Sequence, residues 1–348
     1  MDNLPLHMAA AASHLVDGLS PTQFSVLDGT DRLRVLVGDG DRFVLASLLD
    51  PTDALEAQTE QVAAAVLRTI LPSDSPAFPE TLAAQDLKPG IWSLDREYEL
   101  RITRPLPGTP LSTAAFTEHP GLVDSLARFL ARLHTADVAA VADAGLPTRE
   151  PLEVRDSLLA ELDRGAQTGK VPGALLQRWE ETLETAAVWH FLPAVLHGDL
   201  GIDALRTTGD DLVAVTDLAR VRVGDPAHDL AGVADLMSTE DFIRLLDVYL
   251  AERRMDDPYL VERVGLVSEM GVLGLLLACA DADDAEGVDE AVELLRSLAE
   301  LPEDAPEPGP GVTADSSAAE AAEESETGVI DRPSSVRATD RDPAGPQA

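Results

Sequence analysis

The sequence predicts an α+β protein that is bilobal, with a small strand-rich N-terminal lobe and a larger helical C-terminal lobe. Apolar and polar residues alternate before position 103, as in strands, whereas apolar residues at helical spacing dominate beyond position 110. Residues 104–110 contain three prolines and a glycine, so they form neither a helix nor a central strand, and we predict a hinge there. A chain of 348 residues is long enough to give both lobes a core.

The N-terminal lobe, residues 1–103, is predicted to combine several strands with one helix. Its clearest element is a hairpin, because residues 32–37 and 42–48 alternate on either side of a Gly-Asp turn. A helix is predicted from Ala54 to about Leu71, where apolar residues recur every four positions, and a further strand over residues 98–103.

The C-terminal lobe, residues 111–301, is predicted to be mostly helical. Apolar periodicity places its helices at residues 121–134, 151–164, 171–190, 239–253, 258–279 and 286–299. A hairpin interrupts them, with one strand at residues 196–199 and the other at 212–217. Asp199 and Asp217 therefore stand where two neighbouring strands end.

Composition excludes several classes of partner. The net charge is −37, from 63 acidic and 26 basic residues. Such a chain repels the phosphates of nucleic acids and anionic membrane surfaces, so we expect neither as a partner. It attracts cationic molecules, although a charged surface also simply keeps a protein soluble.

The single cysteine, the N-terminal segment and the length of the apolar runs together predict a cytoplasmic protein. Cys279 is the only cysteine, which excludes an internal disulfide and is typical of a reducing compartment. The N-terminus lacks the basic segment and long apolar core of a signal peptide. The apolar run at residues 271–279 is far shorter than the ~20 residues of a membrane span and is interpreted as a buried helix. Residues 302–348 are rich in Pro, Ala and Glu, which predicts a disordered acidic tail.

Asp199 and Asp217 are the strongest candidates for chemistry. Phosphoryl transfer from a nucleotide needs one carboxylate that accepts the proton of the attacking hydroxyl and another that holds the magnesium ion on the phosphates. Two carboxylates at adjacent strand ends repel each other, so a structural role alone explains them less well than a cation or a cleft does.

The order of motifs resembles the aminoglycoside phosphotransferase family, whose fold is similar to that of protein kinases. The resemblance is carried by Leu196-His197-Gly198-Asp199-Leu200 and by Arg222-Val223-Gly224-Asp225-Pro226-Ala227-His228-Asp229-Leu230-Ala231. The second motif looks closest to the macrolide phosphotransferase branch. The similarity covers roughly residues 20–300 and is specific over residues 195–231.

The resemblance implies a role for each matching residue. Asp199 matches the catalytic aspartate that orients and deprotonates the acceptor hydroxyl, and His197 matches a histidine with a scaffold role. Asp217 matches the metal-binding aspartate. Asp225 and Asp229 match residues that anchor the loop by accepting backbone N–H bonds and capping the next helix.

Two positions depart from the family pattern. Where the family has a second metal ligand, Asn, this chain has Ala204, although Asp203 is a candidate replacement. Where a strand lysine should hold the phosphates, it has Ala46, which leaves Glu60 of the next helix without that partner. Arg34 on the neighbouring strand is a candidate substitute.

The resemblance implies a phosphotransferase that uses Mg²⁺ with ATP or GTP. It also implies that the N-terminal lobe, residues 1–103, covers the nucleotide, with Leu106 as a further nucleotide contact. The acceptor would be a small hydroxyl-bearing molecule, aminoglycoside- or macrolide-like. The acidic lobe suits a cationic, amine-bearing one, with Glu240, Asp241 and Glu269 as candidate contacts. The alternative is a pseudokinase, a binding or scaffolding module without catalysis, which Ala46 and Ala204 favour. A third interpretation is an acidic helical protein in which the His-Gly-Asp is coincidental.

Overall fold

The computed structural model describes residues 3–27, 32–300 and 327–329. Its contacts divide the chain into two compact units. Unit 1 takes its described residues from Met1–Leu49, Leu82–Thr103 and Glu320–Ala348, and unit 2 from Asp50–Thr81 and Arg104–Ala319. The boundary between Thr103 and Arg104 falls where the sequence predicts the hinge to begin. Apart from residues 327–329, the predicted acidic tail lies outside the described residues.

Unit 1 contains a six-stranded sheet. Its strands are β1 (Gln23–Leu27), β2 (Arg34–Asp39), β3 (Arg42–Leu49), β4 (Thr81–Leu87), β5 (Tyr98–Thr103) and, from the C-terminal segment, β11 (Thr327–Val329). The strand order is β11-β1-β2-β3-β5-β4. The predicted hairpin is confirmed, because β2 and β3 pair antiparallel from Arg34 opposite Ser47 to Asp39 opposite Arg42.

Helix α1 (Leu4–Leu15) was not predicted from the sequence. It packs against β2 and β3, and its buried residues share one core cluster with Val35, Val44 and Ala46. Four consecutive alanines leave this helix with little apolar periodicity, so its sequence pattern is weak. Ala46 is fully buried, so the position of the expected lysine lies in an apolar core.

Unit 2 carries the helices. They are α2 (Pro51–Ile70), α3 (Ala115–Glu118), α4 (Gly121–Leu133), α5 (Val138–Asp143), α6 (Pro151–Thr168), α7 (Gly173–Glu184), α8 (Ala227–Ala234), α9 (Thr239–Arg253), α10 (Leu260–Asp281) and α11 (Ala285–Glu300). The predicted helices are confirmed to within a few residues. The exception is the one at 171–190, where α7 is followed by a separate 3₁₀ turn at Ala186–Trp189.

Helix α2 belongs to unit 2, whereas the sequence placed it in the N-terminal lobe. Its buried residues Ala63, Ala64 and Leu67 lie in the same core cluster as the apolar face of α4. Packing against α4 therefore places α2 in unit 2. Local periodicity predicts that α2 is a helix, but it does not predict which helix α2 packs against.

The strand pairing in unit 2 differs from the predicted hairpin. The strands are β6 (Thr109–Pro110), β7 (Ala194–Leu196), β8 (Leu205–Thr208), β9 (Asp211–Val215) and β10 (Arg222–Gly224). The predicted pairing of 196–199 with 212–217 is wrong: β7 pairs with β10, and β9 pairs with β8. Gly209, at φ +57°, closes a two-residue loop between β8 and β9. Such a short loop costs less closure entropy than a long one.

Helix α10 spans 22 residues and, by length and composition alone, could cross a membrane. Its contacts are those of a core helix, since it packs on α6, α8 and α11. It also buries Arg263, whose guanidinium donates to Asp225 at 2.7 Å and to Asp257 at 2.8 Å. The apolar run at 271–279 buries Leu273, Leu276 and Leu277 in this way.

Candidate active site

The carboxylate of Asp229 holds the backbone that follows β7. One oxygen accepts the N–H of His197 and the other the N–H of Gly198, both at 2.8 Å. His134 lies 3.1 Å from the first oxygen. Burial would raise the pKa of Asp229, but the hydrogen bond and the positive charge of the His134 ring outweigh it and bring the pKa to about 2. A buried carboxylate thus sets the position of this loop.

The His197 ring joins the ends of β7 and β9. Its Nε2 lies 2.7 Å from the carbonyl oxygen of Thr216, and its Nδ1 lies 3.3 Å from the backbone nitrogen of Asp199. A neutral imidazole that donates from Nε2 and accepts at Nδ1 satisfies both contacts. His197 therefore holds the backbone of Asp199 next to that of Asp217.

Gly198 occupies a position that no other residue fits. Its φ is +85°, and a Cβ there would overlap the carbonyl oxygen of Arg220 and the guanidinium of Arg222. That guanidinium donates to the Gly198 carbonyl at 2.9 Å. The sequence analysis quoted Arg222 as part of a motif but assigned it no role, because only the pairing of β7 with β10 brings it beneath the loop.

Asp199 is exposed and lines a cavity of about 370 Å³. The cavity is also lined by Gly198, Leu200, Gly201, His228, Gly232, Asp235 and Leu236. Its volume lies in the range of about 300–1,000 Å³ that is typical of small-molecule sites. Asp235 was not predicted; burial raises its pKa, although a hydrogen bond from Ser268 opposes the shift.

Asp217 follows β9 in the left-handed conformation, with φ +58°. Thr216 Oγ1 donates to its carboxylate at 3.2 Å. The side chain keeps access to solvent on one side, but the surrounding protein desolvates the rest and raises its pKa, as do the carboxylates of Asp203 and Asp199. Three mutually repelling carboxylates form a place where a cation is favourable.

Ala204 lies directly beside this acidic segment. Its carbonyl accepts the N–H of Thr216 at 2.8 Å, and its side chain is buried. Among the described residues, no group of three or more His, Cys, Asp or Glu side chains is placed to hold a metal by itself. Mg²⁺ usually takes one or two carboxylates together with substrate phosphates and water, and Asp217 with Asp203 fits that mode.

Glu60 and Leu106 belong to unit 2, and Arg34 belongs to unit 1. Glu60 is 3.4 Å from the backbone nitrogen of Leu218, so it contacts the segment that follows Asp217. Leu106 lines a cavity of about 430 Å³ with residues of α2 and the chain after it. Arg34 is next to Val35, which pairs with Ala46, so Arg34 and Ala46 face opposite sides of the sheet.

The remaining acidic candidates have structural partners. Asp225 accepts the N–H of Ala227 at 3.0 Å, at the start of α8, and also binds Arg263. Glu269 accepts from Arg178 and from the Trp179 indole, both at 2.6 Å. The backbone N–H of Asp241 donates to Ser238 Oγ, which caps α9. The residues that line the Asp199 cavity do not include Glu240, Asp241 or Glu269.

Comparison with known proteins identifies the family. Residues 24–262 match the APH phosphotransferase enzyme family. The chain belongs to this family. The phosphotransferase fold is similar to that of macrolide 2'-phosphotransferase MphH from Brachybacterium faecium, with 24% identity and a TM-score of 0.66 over 88% of this chain and 100% of that one. The predicted α+β, protein-kinase-like fold is therefore confirmed.

One further solved structure and one further protein sequence are similar to this chain. The GDP and kanamycin complex of APH(2")-IIia is 19% identical, with a TM-score of 0.60 over 84% of this chain and 98% of that one. Uncharacterized protein YcbJ of Bacillus subtilis is 24% identical over 208 residues, which are 57% of this chain and 64% of that protein's length. These similarities support a common fold and leave the substrate open.

Proposed function

We propose that this phosphotransferase is a magnesium-dependent small-molecule kinase. In the reaction, the acceptor hydroxyl oxygen forms a bond to the γ-phosphorus of ATP or GTP, and the bond from that phosphorus to the β–γ bridging oxygen breaks. The products are the phosphorylated acceptor and a nucleoside diphosphate. The hydroxyl proton passes to the Asp199 carboxylate, which acts as the base.

The observation that carries this proposal is the contrast between the backbone and the side chain of Asp199. Its loop is held by Asp229, His197 and Arg222, through one buried and two partly buried hydrogen bonds. Its carboxylate is nevertheless exposed in a cavity. A rigid backbone that presents one solvent-accessible carboxylate is the arrangement expected of a positioned base.

Asp217, assisted by Asp203, is proposed to hold Mg²⁺, which would neutralise charge on the transferred phosphate. Nucleotide contacts by Glu60, Leu106 and Arg34 stay predictions. So do the hinge at residues 104–110 and the cytoplasmic location.

A second candidate function, a pseudokinase, is favoured by two substitutions. Ala46 is buried among apolar residues, and the side chain of Ala204 is buried in the apolar core of unit 2. Losing one electrostatic contact to a transition state typically costs about 10²–10³ in rate. A chain that lacks both groups could retain binding without turnover.

The test is a comparison of nucleotide binding and phosphoryl transfer in the full chain. Thermal melting with ATP or GTP, with and without Mg²⁺, measures binding. A true ligand at one hundred times its dissociation constant adds about 2.7 kcal/mol of stability. Formation of the nucleoside diphosphate in the presence of kanamycin or a macrolide measures transfer, and we expect Asp199→Asn to lower its rate by roughly 10²–10⁴.

The matched control is Asp211→Asn, which changes an exposed aspartate at the start of β9. It should leave both measurements unchanged. Magnesium-dependent nucleotide binding with no transfer to any acceptor would favour the pseudokinase. An Asp199→Asn variant that retains full transfer would exclude Asp199 as the base.

A further inference from the structure

Three buried polar side chains connect α9 with the loop that follows β7. The hydroxyl of Tyr249, on α9, lies 2.8 Å from Nδ1 of His134, which caps the C-terminus of α4. The other ring nitrogen, Nε2, lies 3.1 Å from an oxygen of Asp229 on α8. Asp229 in turn accepts the N–H groups of His197 and Gly198. Tyr249, His134 and Asp229 are all buried, and we refer to them as the buried triad.

The hydroxyl of Tyr249 is the group that fixes the His134 ring. The two rings meet edge to face with their centroids 5.5 Å apart, and a phenylalanine would make that contact equally well. A hydroxyl both donates and accepts, so it pairs with Nδ1 whether or not that nitrogen carries a proton. Burial raises the pKa of Tyr249, so the hydroxyl keeps its own proton at neutral pH. The hydroxyl therefore favours the ring orientation in which Nε2 faces Asp229.

Helix α8, which carries Asp229, touches the same loop at a second point. Gly232 lies about one turn further along α8, and a Cβ there would come within 2.6 Å of the carbonyl oxygen of Leu200. The helix and the loop are thus in direct backbone contact, with no room for a side chain between them. Because closely packed interiors transmit displacements, a shift of the Asp229 carboxylate would move the loop on which Asp199 stands.

We propose that Tyr249 is a positioning residue for phosphoryl transfer. It orients His134, His134 orients the carboxylate of Asp229, and that carboxylate sets the backbone from which Asp199 meets the acceptor hydroxyl. Tyr249 is not among the residues that line the Asp199 cavity, so it acts without touching the substrate. This inference rests on the proposed function only for the reaction that is affected, and on the buried triad for the positioning itself.

The test is Tyr249→Phe in the full chain, which removes one oxygen atom and keeps the ring. Two quantities are measured: hydrogen exchange of backbone amides in the free protein, and transfer from ATP with Mg²⁺ to whichever of kanamycin or erythromycin the unaltered protein phosphorylates. We expect the Gly198 amide to exchange about five- to tenfold faster, since a buried hydrogen bond is lost. We expect kcat to fall by a similar factor and KM for ATP to stay within about twofold, because the lost contact lies outside the nucleotide site.

Tyr259→Phe is the matched control, because Tyr259 is a half-buried tyrosine at the start of α10 that packs against a different core cluster. It should leave both quantities unchanged. The buried Leu273 of α10 is an internal reference, since a general loss of stability would speed exchange of its amide as much as that of Gly198. Unchanged exchange at Gly198 in Tyr249→Phe, or equal acceleration at Leu273, would overturn the proposal.

A second variant, His134→Leu, tests whether Tyr249 acts through His134. In that background Tyr249→Phe should change neither kcat nor Gly198 exchange any further, because the contact between the two residues is already absent. Additive effects would contradict the proposed route. The exchange comparison with Tyr249→Phe alone decides the proposal even if His134→Leu does not fold. If no acceptor is phosphorylated, only the proposed function fails, since hydrogen exchange in the free protein does not depend on turnover.

Discussion

Two neighbouring regions of unit 2 differ in how their polar groups are paired. The first region is the loop at residues 197–201, and the second region comprises Asp203, Ala204 and Asp217. In the loop, Asp229 accepts two backbone N–H groups and faces His134, and its pKa is lowered to about 2. At Asp217 burial and neighbouring carboxylates raise the pKa instead. The backbone of the first region is held by side chains of the protein itself. In the second region the carboxylates of Asp217, Asp203 and Asp199 act unfavourably on one another.

This difference bears on the proposed site. The loop proposed to position the base is held by buried and partly buried partners. The segment proposed to hold the metal has Ala204 where the family resemblance implies asparagine, yet its carboxylates still raise one another's pKa. Unpaired charge of this kind destabilises a protein and is typical of functional sites.

Removing the buried carboxylate gives the largest expected effect. Asp229→Ala leaves two backbone N–H groups and His134 without an acceptor, and we expect the free energy of unfolding to fall by about 3–5 kcal/mol. Urea denaturation measures it. Asp211→Ala, at an exposed position, should change stability by no more than about 0.5 kcal/mol. A loss below about 1 kcal/mol for Asp229→Ala would mean that the loop is not held as described.

Placing a lysine at Ala46 tests whether this position can hold phosphates, as the family resemblance implies. Because Ala46 is fully buried beside α1, we expect Ala46→Lys to cost on the order of 3 kcal/mol without strengthening nucleotide binding. Ser47→Lys on the opposite face of β3 is the control and should cost less. Tighter binding of Mg²⁺ and ATP by Ala46→Lys, at unchanged stability, would contradict the assignment of this position to the core.

Acid should weaken the first region selectively. The pKa of Asp229 is about 2 in the folded protein and 3.8 in the reference state, so its contribution is complete above about pH 4 and is lost as the pH falls towards 2. A shift of this size corresponds to about 2 kcal/mol. We expect the stability difference between the unaltered protein and Asp229→Asn to shrink by that amount between pH 5 and pH 2. A pH-independent difference in urea denaturation would refute it.

Ala204→Asn tests whether adding one metal-coordinating side chain to the second region is enough to strengthen Mg²⁺ binding there. The family resemblance implies a metal-binding asparagine at this position, so we expect a larger melting shift with Mg²⁺ and ATP. The larger side chain should cost about 1–3 kcal/mol in the free protein, because Ala204 is buried. Ala204→Leu imposes a similar packing cost without an oxygen. Equal melting shifts in the two variants would show that the added amide does not reach the metal.

The smallest expected change is a gain in stability. Because the pKa of Asp217 is raised, protonation stabilises the folded state, and that stability is lost as the pH rises through the folded-state pKa. Asp217→Asn removes the charge, and asparagine tolerates the left-handed backbone. We expect it to stabilise the free protein at pH 7 by roughly 0.5–2 kcal/mol, measured by thermal melting, and to abolish magnesium-dependent nucleotide binding. A less stable variant would contradict the repulsion inferred at this site.

Much of the fold was predictable because it depends on local pattern. The predicted bounds of β5 and α9 are those of the structure, and the hairpin of β2 and β3 follows from alternation around a glycine turn. Helix α1 was missed because alanine repeats carry little periodicity. The pairing of β7 with β10 was missed because the two strands are some 25 residues apart in the chain, and the alternative pairing looked equally good by local criteria.

The sequence by itself determined the fold class, most element boundaries and the order of acidic residues that indicates phosphotransferase chemistry, since these follow from periodicity and from motifs confined to short segments. Only the tertiary structure decided that Asp229 and Arg222 hold the loop of Asp199, and that Ala46 lies in a core with residues of α1. The reason is physical: burial and hydrogen-bond partners depend on residues distant in the chain, and no local pattern encodes which distant residue will arrive.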